Sequence, residues 1–327
     1  MNFPNRRLQL LGWALCLGAF LLTGCSTQEV QQGKIENDLR YGALPKAEIG
    51  DTKQARIWAD RAIAVDPTDP NTFVLHPKAS GPDITIAQVF QQTGDDATLV
   101  DYLKQGAAKF PKDVWILAPL AEAQARLGDT AGQKATAARI VTLLESKVGT
   151  PGRTPDQDTM TMLGQAYWDS GNPVKGAETF RRLITLYPRE IEPLNRLAYA
   201  YAVYDSKPNL PEALTDAKRA LALAQGKGNS DEYISAIQDK LGWVQYRMGD
   251  YQSALINLQQ ASEANPREAE SRYHLGMVYK AQGNTEAARV ELTHATLLSK
   301  GYAAASRELE MLSKAPAAPP TAKPASG

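Results

Sequence analysis

Gly242 and Gly276 stand 34 residues apart, and the landmarks around them repeat at that interval. Leu241, Gly249, Ala254 and Ala261 are each matched 34 positions later by Leu275, Gly283, Ala288 and Ala295. A period of 34 with small residues at fixed offsets marks a stack of helix-turn-helix units, none of which can bury its apolar face alone. The same spacing recurs upstream: Gly164 and Gly171 are seven residues apart, as are Gly242 and Gly249, and Gly164 to Pro188 is 24 residues, as is Gly242 to Pro266. The first glycine of each pair lets two helices approach closely, the second ends helix A in a turn, and the alanines keep helix B near its neighbour. Asn172-Pro173 supplies a cap and a first-turn proline for the helix that follows Gly171.

These residues, with Leu163, Tyr167 and Phe180, resemble the tetratricopeptide repeat. The resemblance implies an all-α solenoid of about six to seven helix-turn-helix units, above the minimum of about three that such a stack needs. Residues 157–190 form one unit; 191–227 form a second, with Leu197-Ala198, Tyr201, Ala213 and Ala220 and extra residues around Ser206-Lys207-Pro208; 235–268 and 269–302 are the two in strict register. Phe90, Gly94, Leu103 and Pro111 place a degenerate unit at 80–113, and Trp115 to Glu145 gives another with its turn at Gly128-Asp129. Thr52 to Val65 reads as a helix B, with Ala55, Ala59 and Ala62, whose partner helix is interrupted at Leu44-Pro45. Pro77, Gly81 and Pro82 form one breaker cluster and Gly149 to Pro155 another, and two packed halves hinged near Gly149 are expected. The organisation is then a signal at 1–24, a linker and weak first helix at 25–50, degenerate repeats at 51–148, a linker at 149–156, repeats at 157–302, a capping helix at 303–313, and a tail at 314–327 too rich in Ala and Pro to bury a core.

Arg6 and Arg7 precede an apolar run from Leu8 to Leu22 that is short for a membrane span, the plan of a secretory signal. Its end, Leu22-Thr23-Gly24-Cys25, resembles the bacterial lipobox. That resemblance implies that Cys25 becomes the lipid-modified first residue, and more than one acyl chain makes a stable anchor. Ser26 follows where Asp would be the common inner-membrane retention signal, so the outer membrane is expected, with the body facing the periplasm.

Removal of the signal takes two arginines from a balance of 36 basic and 36 acidic residues, leaving 34 and 36, so no basic field attracts nucleic acid. With Cys16 in the signal and Cys25 acylated, no thiol remains for a disulfide, a metal or catalysis. His76, His274 and His294 lack the spacing of a metal pair, Asp95-Asp96 after Gly94 reads as helix capping, and Gly226-Lys227-Gly228 lacks the context of a phosphate loop. Neither enzyme nor cofactor is expected.

In the tetratricopeptide family the concave face is lined by helix A at repeat positions 2, 5, 9 and 12. Carried onto this chain, these positions place Trp168, Asn195, Tyr199, Asp239, Trp243, Tyr246, Tyr273 and Met277 in a groove whose aromatic side chains would anchor a protein partner. For each aromatic residue, packing between neighbouring helices is the alternative. The Lys and Asn that clamp a carboxylate terminus in some family members are absent: those positions hold Thr161/Gln165, Asn195/Tyr199, Asp239/Trp243 and Tyr273/Met277. The expected function is a non-catalytic scaffold in an envelope machine, by resemblance to tight-adherence pilus and pilotin-type lipoproteins. Scaffolds for exopolysaccharide export or peptidoglycan hydrolases, and an enzyme or solute-binding lipoprotein, are the alternatives.

Overall fold

The computed structural model describes residues 27–77, 82–148, 156–204 and 209–314. The signal, Cys25, the 149–155 breaker, Ser206-Lys207-Pro208 and the tail from 315 lie outside the described residues. Among the described residues all regular structure is helical: α1 (Thr27–Asn37), a π-helical turn (Asp38–Ala43), α2 (Leu44–Glu48), α3 (Thr52–Val65), a 3-10 turn (Pro70–Thr72), α4 (Ile86–Gln92), α5 (Asp96–Lys109), α6 (Val114–Arg126), α7 (Thr130–Val148), α8 (Gln157–Asp169), α9 (Pro173–Leu186), α10 (Ile191–Val203), α11 (Leu210–Gly226), α12 (Asp231–Arg247), α13 (Tyr251–Ala264), α14 (Ala269–Ala281), α15 (Thr285–Leu298) and α16 (Ala303–Lys314). The chain folds as a tetratricopeptide-type solenoid.

The described residues divide into two compact units, one within 27–93 together with 102–111, the other 94–101 together with those within 112–314. The division falls at Thr93/Gly94 and inside α5 rather than at the expected Gly149. α7 and α8, on either side of the 149–155 breaker, pack on each other within the second unit.

In the second unit α6/α7, α8/α9, α10/α11, α12/α13 and α14/α15 pair, and each second helix packs on the first helix of the next pair, with α16 closing the series against α15. One contact explains the glycine ruler. A β-carbon at Gly164, Gly242 or Gly276 would lie 2.7, 2.6 or 2.8 Å from Phe180, Leu258 or Leu292, the large residue sixteen positions later on helix B. These large side chains are fully buried, so they have nowhere to retreat. The turns between the helices pass through Gly128, Gly171, Gly249 and Gly283 at φ of 75, 90, 82 and 78°, where a side chain would be strained. Asn172, Asp250 and Asn284 then cap the helices that follow, each accepting from a backbone N–H three residues on.

In the first unit the chain stays helical through Leu44-Pro45, where an interruption was expected. Pro45 occupies the first turn of α2, where its missing N–H is tolerated, and the π turn before it is one residue wider than an α turn. Gly42 to Gly50 is accordingly eight residues rather than seven. The degenerate unit has a helix A of only seven residues, α4, and its core is aromatic: Phe90 stacks on Tyr102 at 5.5 Å, and the Tyr102 hydroxyl donates to Asp60 (2.8 Å) and to the Arg56 carbonyl (3.0 Å).

Candidate functional site

The first helices of the second unit, α6, α8, α10, α12 and α14, share one face, and side chains from all of them line a recess of about 440 Å³. Its wall is polar and charged. At one side Glu270 accepts from Lys240 Nζ (3.0 Å) and from the Tyr199 hydroxyl, while Lys240 also lies 3.7 Å from Asp239 and 4.4 Å from the Tyr199 ring. Burial works against the ionised Glu270, but Lys240 and His274 outweigh it and hold its carboxyl well below the usual range. Opposite, Asp169 accepts three hydrogen bonds on one oxygen, Oδ1, from Gln133 (2.9 Å), Gln165 (3.2 Å) and the Tyr204 hydroxyl (2.8 Å). Burial nevertheless pushes the Asp169 carboxyl up, because all three donors are neutral. Arg196 pairs with Glu192 at i,i+4. Asn195 is 7% exposed, and its side-chain oxygen has no hydrogen-bond partner.

Tyr302 also lines this recess, and a contact between distant parts of the second unit brings it there. Asp95, next to Gly94, caps α5 as expected by accepting from the Thr98 N–H (3.1 Å). Asp96 does something else. It is 2% exposed; Arg126 donates to its Oδ1 from Nε (2.9 Å) and Nη2 (2.6 Å), and the Ser299 hydroxyl donates to its Oδ2 (2.7 Å). The Lys300 N–H donates to the Gly94 carbonyl (2.9 Å). Gly94 has φ of 65°, and a β-carbon there would lie 1.8 Å from the Leu298 carbonyl oxygen. The turn between α15 and α16 is thereby fastened to the start of α5.

The expected groove residues separate into three settings. Asn195 and Tyr199 line the recess. Tyr246, Tyr273 and Met277 are half-buried and pack on the core around Trp243. Trp168, Asp239 and Trp243 are 2, 2 and 8% exposed. Trp168 stacks on Phe180 at 5.2 Å; Trp243 lies between Tyr246 (4.7 Å) and His274 (4.1 Å); Asp239 accepts from His274 Nδ1 at 3.0 Å. These three fill the space between helices rather than face a partner. The sequence reading missed Asp169, Arg196, Lys240, Arg126, Glu122 and Tyr302. Asp169, Arg196 and Lys240 each lie one position beyond a family lining residue, Trp168, Asn195 and Asp239, and the i,i+4 spacing of Arg196 from Glu192, itself at a lining position, was the available signal. His274 is buried against Asp239, His294 is half-exposed, and among the described residues no group of three His, Cys, Asp or Glu is placed to hold a metal ion.

Family models described as tetratricopeptide repeat match residues 158–189, 202–266 and 240–294. No curated protein matches the sequence. Among solved structures, the fold is similar to a tetratricopeptide repeat protein from Parabacteroides merdae (TM-score 0.50, 14% identity, covering 86% of this chain and 99% of that one). It is similar also to yeast Tom70 (TM-score 0.52, 13% identity, 93% of this chain and 57% of that one). The Cut9–Hcn1 assembly of the APC/C is matched at TM-score 0.45 and 15% identity, over 82% of this chain and 47% of the other. This chain thus spans about half the length of two of these proteins. At such identities the likeness is one of fold, and it agrees with the repeats read from Gly164, Gly242 and Gly276. Tetratricopeptide solenoids are protein-interaction scaffolds.

Proposed function

We propose that this protein is a non-catalytic scaffold, anchored through a lipid on Cys25 in the outer membrane, that holds protein partners in the periplasm on the recessed face of its second unit, in the assembly of a pilus or secretion machine. The observation that carries the partner-binding part is the recess itself: five successive first helices converge on one face and line it with accessible polar and charged side chains, as a surface made for specific contact requires. The address rests on Leu22-Thr23-Gly24-Cys25 at the end of the apolar run. The envelope system rests on resemblance to lipid-anchored repeat proteins of such machines.

Val203 lines the recess and is 39% exposed, whereas Ile256 on α13, a second helix, is 57% exposed. Partner capture from envelope extract should be lost with Val203→Arg and retained with Ile256→Arg. Equal capture by both variants rejects the recessed face as the partner surface. Cys25→Ala should move the protein from the membrane to the soluble periplasmic fraction, and retention in the outer membrane rejects the anchor.

A further inference from the structure

We propose that the first unit is a foot standing on the membrane: its end formed by the start of α1 and the Asp66–Pro70 turn rests against the lipid headgroups of the bilayer that holds Cys25. This rests on the lipid anchor at Cys25, and it adds which surface of the chain meets the membrane. Only Ser26 separates Cys25 from Thr27, where α1 begins. Two residue steps span at most about 7 Å. The polar layer on each side of a bilayer is itself roughly 5–8 Å thick, so α1 starts at the outer edge of the headgroups.

α1 belongs to the folded unit from its first turns. It packs on the π turn and on α3, and its Gly33 and Ile35 are buried. The helix continues through the π turn and α2 to Glu48, with Leu39 and Ala43 fully buried, and α3 returns against all three. Packed structure therefore follows the anchor at once, where a leash would need a run of flexible residues. The return of α3 brings the next turn beside the start of α1: Gln28 and Gln31 line one recess with Asp66, Thr68 and Asp69. The turn at Gly50 marks the other end of the helix pair, on the order of 30 Å away at 1.5 Å per residue.

The membrane-side turn is held in shape by its own side chains. Thr68 donates to Asp66 Oδ1 from its N–H (2.9 Å) and its hydroxyl (2.7 Å), and Asn71 donates to Asp69 Oδ1 from its N–H (2.9 Å) and its amide (2.7 Å). Residues 27–32 and 66–70 include Glu29, Asp66 and Asp69 and no lysine or arginine, so anionic lipid does not draw this end in. Tyr41, Ile49, Ile57 and Leu75, the exposed large apolar side chains of the unit, all lie elsewhere, so this end does not enter the hydrocarbon. Its amides, hydroxyl and carboxylates suit the headgroup layer, and the short covalent link keeps them there.

The test uses the full lipidated chain in vesicles of phosphatidylethanolamine and phosphatidylglycerol. With Cys16 removed in the signal and Cys25 acylated, one introduced cysteine is the only thiol, so a fluorophore can be placed singly at Gln28→Cys, Thr68→Cys, Ile49→Cys or Lys53→Cys, all at exposed positions. A nitroxide on the lipid headgroup should quench most of the emission from Gln28→Cys and Thr68→Cys and little from Ile49→Cys and Lys53→Cys. A nitroxide deep in the acyl chains should quench none of the four strongly. Inserting about ten Gly/Ser residues after Ser26, a spacer of roughly 17 Å, should leave the chain floating with the vesicles and remove most of the headgroup quenching of Thr68→Cys. Equal headgroup quenching of Thr68→Cys and Ile49→Cys, strong quenching from the acyl chains, or quenching that the spacer does not move overturns the proposal. If the chain floats with the vesicles while Thr68→Cys is not quenched, the anchor stands and only the foot falls. If the chain does not float, the anchor falls and the foot with it.

Discussion

The pairs α12/α13 and α14/α15 and the helices of the first unit meet the same demand, two helices brought close at a glycine, with different materials. In the former, Gly242 and Gly276 each face a leucine that is fully buried sixteen residues on. In the first unit Gly42 faces Trp58, whose ring a β-carbon would approach to 2.3 Å, but Trp58 is half-buried and carries the Arg61 guanidinium over it at 4.1 Å. A contact closed on all sides enforces a strict sequence ruler, because no neighbour can move. A contact with one side open tolerates a bulky aromatic, a π turn and an extra residue, and the repeat signature fades accordingly.

The largest effect expected in the enclosed region comes from Trp243→Ala. The side chain is stacked between Tyr246 and His274 and joined to the core, so its loss should cost about 3–5 kcal/mol in chemical unfolding. A variant of native stability would mean that Trp243 belongs to a surface after all.

Glycine substitution sharpens the contrast between the regions. Gly242→Leu should destabilise by about 3 kcal/mol, at the upper end of overpacking, while Gly42→Leu should cost about 1 kcal/mol, since Trp58 can swing outward. Adding Leu258→Ala to Gly242→Leu should recover part of the loss in a double-mutant cycle. Equal costs at Gly42 and Gly242 would break the comparison.

The smallest effect lies in the loosened 191–227 repeat. Burial, with Glu212 beside it, raises the Asp216 carboxyl from 3.8 to about 6. The folded state therefore holds that proton more tightly than the unfolded chain. Its stabilising contribution is full below pH 3.8 and is lost as the pH rises through about 6. Asp216→Asn should be more stable than the native protein by about 1 kcal/mol at pH 7, once solvent screening is allowed for. The difference should vanish below about pH 4 in thermal melts, and a difference that grows on acidification would reverse the assignment.

The turns and glycine contacts were legible in the sequence because they are local: a positive φ and a missing β-carbon leave few residue choices. Asn172-Pro173 could be read for the same reason. The recess was only half legible. Asn195 and Tyr199 follow from repeat position, but Asp169, Lys240 and Arg196 vary from unit to unit and carry no period. Tyr302 reaches the recess beside the turn whose Ser299 bonds to Asp96, 203 residues away in the chain. No local pattern announces that contact: the sequence reads Asp95 and Asp96 together as helix capping, a role that Asp95 fills while Asp96 bonds to Arg126 and Ser299. The aromatic residues misled for a physical reason as well. Helix A positions that face a groove in an open stack lie among neighbouring rings when helices approach as closely as Gly164 and Gly242 allow.

The central claim is that partners meet the face built by the first helices and not the face built by the second. A photo-crosslinking side chain placed at Glu122 or Val203, which line the recess, and separately at Ile256 or Val290, exposed on α13 and α15, tests it in living cells. The account predicts partner adducts from Glu122 and Val203 and none from Ile256 and Val290. Adducts confined to Ile256 and Val290 would contradict it.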